Sequence, residues 1–231
     1  MSTPATPGRP HRKVPTVRRS AILVPAAVVL LAIPTGAVAG GLFPPRPGTT
    51  VTLLPAGQDN PSIADGVAIG KGTALYKTSG LGPAALNPAA PAGSEARYID
   101  TEVFPGGVLP PGVTITEAQG INVLRRIGEN LARAGLTYQD VISMRVFLQN
   151  PAGQERMDFN GWNRAYRQFF ANTSLLTGKP VLVPLGSAAP APPMVVNPAR
   201  PSRFALEIEN LPVNGWLVEV EVDAAYPAKN E

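Results

Sequence analysis

The feature that most constrains the fold is a helical repeat of apolar residues that begins near Thr116 and stops at Gly135. Thr116-Glu117-Ala118-Gln119 is typical of a capping box, and Gly135 of a C-terminal stop. Since the apolar residues recur at intervals of three and four, one side of this helix must be buried. The residues on that side are Ile121, Leu124, Ile127, Leu131 and Ala134.

Several strands surround this helix in the sequence. Residues 74–79 predict a strand that ends at Gly80 and pairs with the segment around 66–69, and Val141–Leu148 predicts a second by strict alternation. A further helix is predicted over 154–171, with an apolar stripe, and two strands over 204–208 and 217–222. The stripe comprises Met157, Phe159, Trp162, Tyr166, Phe169 and Phe170. The predicted order is ββαβαββ, an α+β fold in which two helices cover one face of a mixed sheet.

The last predicted strand has two unlike faces. Val218, Val220 and Val222 share one face, which belongs against the helices. The opposite face carries acids beside an apolar residue, which fits either solvent or a subunit interface. Its members are Leu217, Glu219, Glu221 and Asp223.

The first 39 residues are typical of an export leader. Five basic residues precede an apolar run over 21–33, and Ala37-Val38-Ala39 is typical of a cleavage site. The run is shorter than the roughly 20 residues that span a bilayer as a helix. We therefore expect export with cleavage after Ala39, by the Sec route rather than the twin-arginine route that Arg18-Arg19 loosely resembles. An uncleaved N-terminal anchor stays open, because Leu42 and Phe43 extend the apolar stretch.

Charge and rare residues exclude several functions. The chain has 20 Lys+Arg and 16 Asp+Glu, but residues 1–39 hold five of the basic residues and no acid, leaving 15 against 16. A net charge of −1 gives no basis for binding nucleic acid or a membrane surface. The single histidine, His11, lies in the leader, and cysteine is absent. Serine–histidine and cysteine–histidine catalysis, and the usual zinc ligands, are therefore excluded from the mature domain.

Proline and glycine divide the remaining sequence. Residues 40–61 predict a flexible linker, and residues 62–231 predict one domain. Two stretches rich in proline and glycine, 81–113 and 172–201, are predicted loop insertions between regular elements.

A set of short motifs resembles the Rid/YjgF family of reactive-intermediate deaminases. The resemblance is weak over 63–80 and good over 116–225, and it lies in the shared order and spacing of the motifs. The motifs are Gln119–Leu124, Ala134–Leu136, Asp140–Leu148, Asn163–Tyr166, Phe169-Phe170, Pro201–Arg203, Leu211-Pro212 and Val218–Glu221.

The resemblance implies a chorismate mutase-like fold that forms a homotrimer, with the sheets packed into a central barrel and clefts at the subunit interfaces. Active members of the family hydrolyse 2-imino acids, or their enamine tautomers, to 2-oxo acids and ammonia without cofactor or metal. The partners implied are therefore a small imine, enamine or 2-oxo acid that carries a carboxylate, and further copies of the chain.

Two charged residues match the chemistry of this family. The arginine of its Pro-x-Arg motif matches Arg203, and a guanidinium binds a carboxylate through two parallel N–H bonds. Arg200 ranks second, because its spacing to Leu211-Pro212 is three residues too long. The acid that orients the hydrolytic water matches Glu219, with Glu221 as the alternative.

Ser79, Gly80 and Asn163 match residues that line the family's cleft, and two departures stand beside them. Pro61-Ser62-Ile63 lacks the tyrosine that closes over substrate in the family, and Ala205 replaces a small nucleophile-like residue. A non-catalytic module that binds small carboxylates, or a purely structural trimer, therefore stays open as an alternative to an enzyme.

Overall fold

The computed structural model describes residues 43–228, and the predicted export leader lies outside this part of the chain. Across the described part, no helix combines the length and apolarity needed to cross a membrane. The regular elements are β1 (Thr50–Leu53), β2 (Gly66–Ile69), β3 (Leu75–Lys77), α1 (Ile115–Arg133), β4 (Val141–Leu148), α2 (Phe159–Arg167), β5 (Ser202–Glu207) and β6 (Val218–Ala225).

Four of the strands form the main sheet, in the order β3-β6-β4-β5. Strands β4 and β5 are parallel, whereas β6 is antiparallel to both β3 and β4, so the sheet is mixed. Val146 and Val220 lie side by side and are fully buried with the helices in one core. The predicted α+β fold, with two helices on one face of a mixed sheet, is confirmed.

The first three strands pair differently from the prediction. β3 pairs with β6, and β2 pairs instead with β1 in a separate two-stranded sheet. β1 lies inside the stretch 40–61, for which the sequence predicts a flexible linker. The run of three β-branched residues at 50–52 is too short to stand out among the neighbouring prolines, and pairing with β2 makes it part of a strand.

Helix α1 begins one residue earlier than predicted, and its cap differs. Thr114 caps the helix by accepting a hydrogen bond from the Glu117 backbone N–H at 3.1 Å, whereas Thr116 is buried inside the first turn. Gly135, at φ +73°, follows the end of the helix as expected. Gly120 lets α2 approach closely, since a Cβ there would lie 2.7 Å from the Cβ of Ala165.

Helix α2 is shorter than predicted. Asp158 caps it by accepting a hydrogen bond from the Gly161 N–H at 2.8 Å, so the helix starts at Phe159. The buried members of its stripe are Trp162 and Tyr166, and Phe169 and Phe170 extend the same apolar surface beyond the helix end. Phe159 itself is 40% exposed, because the capped turn directs it away from the core.

The buried side-chain amides of two asparagines hold the two proline- and glycine-rich stretches in place through hydrogen bonds to the backbone. Within 81–113 the only regular elements are two short 3-10 helices, and Asn122 of α1 exchanges hydrogen bonds with the Ala84 backbone at 2.9 Å. Within 172–201, Asn197 donates to the Phe169 carbonyl at 2.9 Å and receives a backbone bond from Ala199 at 2.9 Å. These loops therefore pack against the helices as parts of the core.

Candidate functional site

Arg203 lies on β5, beside Met144 of β4, and therefore shares the face of the sheet that the helices cover. Its Nη2 donates to Asn163 Oδ1 at 2.8 Å, and its guanidinium carbon stands 4.2 Å from the centre of the Tyr166 ring. Nη1 is buried and has no hydrogen-bond partner among residues 43–228. Burial lowers the pKa of Arg203, with opposition from nearby Tyr166. The guanidinium is thus held by the fold and keeps donor capacity for an anion.

Arg200, the alternative carboxylate ligand, has a different role. It is 4% exposed, and its three nitrogens donate to the carbonyls of Pro61 at 2.7 Å, Pro198 at 2.6 Å and Thr173 at 2.8 Å. These bonds tie together three loop segments. Because each of its three nitrogens already donates to a backbone carbonyl and the side chain is buried, Arg200 is a structural residue, and the geometry favours Arg203 as the ligand of a carboxylate.

Glu219 lies on the opposite side of the sheet, beside the segment that follows β3. Leu81 exchanges two backbone hydrogen bonds with Val220, each of 2.9 Å, and alternation therefore puts Gly80 on the same side of the sheet as Glu219. A Cβ at Gly80 would collide with the Glu219 carboxylate. The structure therefore brings Gly80 and Glu219 together, and glycine at position 80 gives the carboxylate its room. Ser79 precedes Gly80 at an exposed position.

The alternative acid, Glu221, is already engaged. Its two carboxylate oxygens accept from Arg145 Nε at 2.7 Å and Lys77 Nζ at 2.8 Å. The hydrogen bond from Arg145, followed by that from Lys77, lowers the pKa of Glu221. Glu219, by contrast, forms no ion pair with any residue in the described range. Between the two acids, Glu219 is therefore the one free to hold a water molecule.

The predicted site residues form two separate groups within one chain. Arg203 and Asn163 lie on the helix side, whereas Glu219 lies opposite Phe147 on the uncovered side. Strand β4 stands between β5 and β6, and alternation sends the side chains of Arg203 and Glu219 in opposite directions. A single copy of the chain does not bring the guanidinium and the carboxylate to one cleft.

Two residues of the site are missed by sequence reasoning. Tyr166, assigned only to the core, also supports the Arg203 guanidinium and donates from its hydroxyl to the Ser62 carbonyl at 2.8 Å. Its position three residues after Asn163, on the same side of α2, is the signal that could have found it. Helical spacing could not find Ser62, because 104 residues separate it from Tyr166, and only the match of Pro61-Ser62-Ile63 to the family segment that closes over substrate points to it.

An apolar cavity of about 660 Å³ lies elsewhere, between α1 and the two proline- and glycine-rich stretches. Its walls include Val103, Tyr138 and Met194, and none of the predicted site residues lines it. In residues 43–228, no group of three or more Asp, Glu, His or Cys side chains is placed to hold a metal ion.

A comparison with models of protein families places this chain in a known family. Residues 111–226, half of the chain, match the model of the family described as endoribonuclease L-PSP. Among curated proteins, the sequence finds no match.

Solved structures similar to the chain come from three bacteria, among others. A YjgF/YER057c/UK114 family member from Mycobacterium tuberculosis has 19% identity and a TM-score of 0.36 over 77% of this chain and 100% of that one. TdcF of E. coli, solved with bound serine, has 21% identity and a TM-score of 0.37 over 66% and 80%. A YjgF protein of Neisseria meningitidis has 16% identity and a TM-score of 0.37 over 78% and 98%. Membership rests on the family model, and this chain belongs to the endoribonuclease L-PSP family, the Rid/YjgF family that its motifs resemble.

Proposed function

We propose that this protein hydrolyses 2-imino acids and their enamine tautomers to 2-oxo acids and ammonia, in clefts between copies of the chain. The observation that carries the proposal is the Arg203 guanidinium. It is fixed by Asn163 and Tyr166, and no carboxylate of the described residues neutralises it. A guanidinium held in this way is suited to bind the carboxylate of a small substrate.

The reaction needs only a guanidinium, a carboxylate and water. Arg203 holds the substrate carboxylate and so fixes the position of the adjacent imine carbon. Glu219 of a second copy accepts a proton from water as the oxygen bonds to the carbon of the protonated imine, giving a neutral tetrahedral amino alcohol. The carboxyl group then returns the proton to nitrogen, the C–N bond breaks as the hydroxyl oxygen forms the carbonyl of the 2-oxo acid, and the hydroxyl proton passes to the carboxylate as ammonia leaves.

An assembly that unites the two groups of residues is part of this proposal. The uncovered sheet face carries Phe204 and Leu206, which are 46% and 49% exposed, and the rings of Phe204 and Phe147 meet edge to face at 6.4 Å. Arg145 neutralises Glu221 and Asp223 on the same face. Apolar side chains beside paired charges are typical of an interface core, and we propose a homotrimer with the sheets facing a central barrel.

A charge placed in this interface is expected to dissociate the assembly. Phe204→Asp buries an unpaired carboxylate at the interface, which costs several kcal/mol, so the mass measured by light scattering should fall to that of one chain and imine hydrolysis should be lost. Val108→Asp is the control, since Val108 is 74% exposed in the loop over 81–113. An unchanged mass for Phe204→Asp would place the interface elsewhere.

Gly80→Ala is expected to displace the Glu219 carboxylate, because the new Cβ collides with it. Loss of the water's position should lower kcat/KM for 2-iminopropionate by roughly 10- to 100-fold. Gly66→Ala is the matched control, since a Cβ at Gly66 meets no atom within 4 Å. If Gly80→Ala and Gly66→Ala keep equal activity at unchanged mass and thermal stability, Glu219 does not position the water.

The direct test generates 2-iminopropionate with an amino-acid oxidase and follows its loss with and without the purified protein. Acceleration supports the hydrolase. Binding of 2-oxo acids without acceleration supports a carboxylate-binding module, and neither activity nor binding supports a structural trimer. Synthetic RNA, incubated in parallel, tests the nuclease activity that the family description names.

We also propose that the protein is exported through residues 1–39. The support is the order of basic, apolar and small residues in that segment. N-terminal sequencing of the protein recovered outside the cytoplasm tests it, and a mature N-terminus at Gly40 is expected. A chain recovered with residues 1–39 intact would instead indicate an uncleaved anchor.

A further inference from the structure

Three arginines surround Tyr166, and none is paired with an acid. Arg203 stands over the ring, Arg167 follows Tyr166 on α2, and Arg200 packs nearby. No carboxylate of residues 43–228 lies within ion-pair distance of any of the three. By contrast, Arg125, Arg145 and Arg164 each pair with at least one carboxylate. Positive charge is therefore concentrated beside Tyr166 without compensation.

Burial makes this concentration costly. It lowers the pKa of Arg167 and of Arg200, and the positive charge of Arg167 lowers the pKa of Arg200 further. Half-buried like charges repel one another more strongly than charges in water. A bound anion would relieve this repulsion.

Arg167 and Arg203 each keep nitrogens without a protein partner for such an anion, whereas every nitrogen of the buried Arg200 has one. Arg167 is half-buried, and its one hydrogen bond, to Ser62 Oγ, is long at 3.4 Å. Arg203 has a buried Nη1 without a partner. Arg200 gives its donors to three backbone carbonyls. Two of the three guanidinium groups are thus available.

Ser62 links the two available arginines in space. Its carbonyl accepts from the Tyr166 hydroxyl at 2.8 Å, and its hydroxyl receives the bond from Arg167. The Arg203 guanidinium lies over the Tyr166 ring, and the hydroxyl of the same ring contacts Ser62, which Arg167 also contacts. The surface beside Ser62 therefore offers a hydroxyl and a second guanidinium.

We infer that the substrate carries two acidic groups, with the carboxylate next to the imine bound by Arg203 and a second carboxylate bound by Arg167. The substrate class is then a 2-imino dicarboxylic acid, and the product is a 2-oxo dicarboxylic acid. Arg167 is a specificity-determining residue in this assignment, which rests on the proposed function for the reaction but not for the binding.

Calorimetry on the full-length protein tests this inference with two product probes, 2-oxoglutarate and 2-oxobutyrate. The protein is expected to bind the diacid at least about tenfold more tightly, as one additional charge-assisted contact implies. Arg167→Gln should weaken the diacid at least about tenfold more than the monoacid. Arg133→Gln, which removes the same charge from an exposed position, is the matched control.

Equal affinity of the unaltered protein for the two acids, or an equal loss of both in Arg167→Gln, would overturn the inference. So would displacement of 2-oxoglutarate by inorganic phosphate at equal concentration, since that indicates a general anion site. A preference for the diacid without imine hydrolysis would contradict the proposed reaction but support the inference about the second carboxylate. Hydrolysis with no preference between the acids would do the reverse.

Discussion

Replacement of Arg203 by alanine is expected to lower kcat/KM for 2-iminopropionate by about 30-fold or more, the effect of losing a charged partner worth about 2 kcal/mol or more. The substrate carboxylate would lose its only partner in the Asn163–Tyr166 pocket. The free energy of unfolding should change by only about 1–2 kcal/mol, because the arginine contributes one side-chain hydrogen bond and one ring contact.

The measurement combines imine hydrolysis with thermal unfolding. Arg203→Lys keeps the charge but lacks the planar fork, and it should recover only part of the activity. Arg156→Ala, at an exposed position before α2, is the control and should change neither quantity. Full activity in Arg203→Ala would remove Arg203 from the site.

Replacement of Arg200 by alanine is expected to destabilise the fold by about 3 kcal/mol. Three carbonyls, of Pro61, Thr173 and Pro198, would lose their donor, and each unsatisfied buried acceptor costs about 1–3 kcal/mol, partly offset because the buried charge is removed. For a domain of this size, the melting temperature should fall by roughly 6–12 °C.

Chemical denaturation of Arg200→Ala measures this cost, and Arg133→Ala is the control for loss of an exposed arginine. Arg200 and Arg203 are three positions apart, yet Arg203→Ala should affect mainly activity and Arg200→Ala mainly stability. A stable but inactive Arg200→Ala would transfer the carboxylate-binding role to Arg200 and contradict the assignment made from the hydrogen bonds.

Local pattern predicted the central elements well. The bounds of β4 agree with the prediction at both ends, and the alternation of Val218, Val220 and Val222 places these side chains in the core. The prediction that Leu217 shares the acidic face was wrong, since its side chain is fully buried in the core. It precedes the first residue of β6, where the two-residue period no longer applies.

The errors lie where distant segments decide the structure. β1 and β3 are short, and their partners are set by pairing rather than by composition. The capping box predicted at Thr116 does not form because its fourth residue, Gln119, is committed elsewhere: its Nε2 donates to the Gly215 carbonyl at 2.7 Å and its Oε1 accepts from the Leu217 N–H at 2.7 Å. A reciprocal capping box needs that side chain at the helix start.

The sequence by itself determined the family, the two-helix mixed-sheet fold and the types of residue available for chemistry, because periodicity, spacing and composition are local or countable properties. Only the tertiary structure decided between Arg200 and Arg203 and between Glu219 and Glu221. In each pair the residues are alike in type, and they differ in which hydrogen bonds and ion pairs are already formed. The structure also showed that Arg203 and Glu219 lie on opposite faces of one sheet. That separation follows from strand register across β4, which brings together residues far apart in the chain and leaves no mark in local sequence.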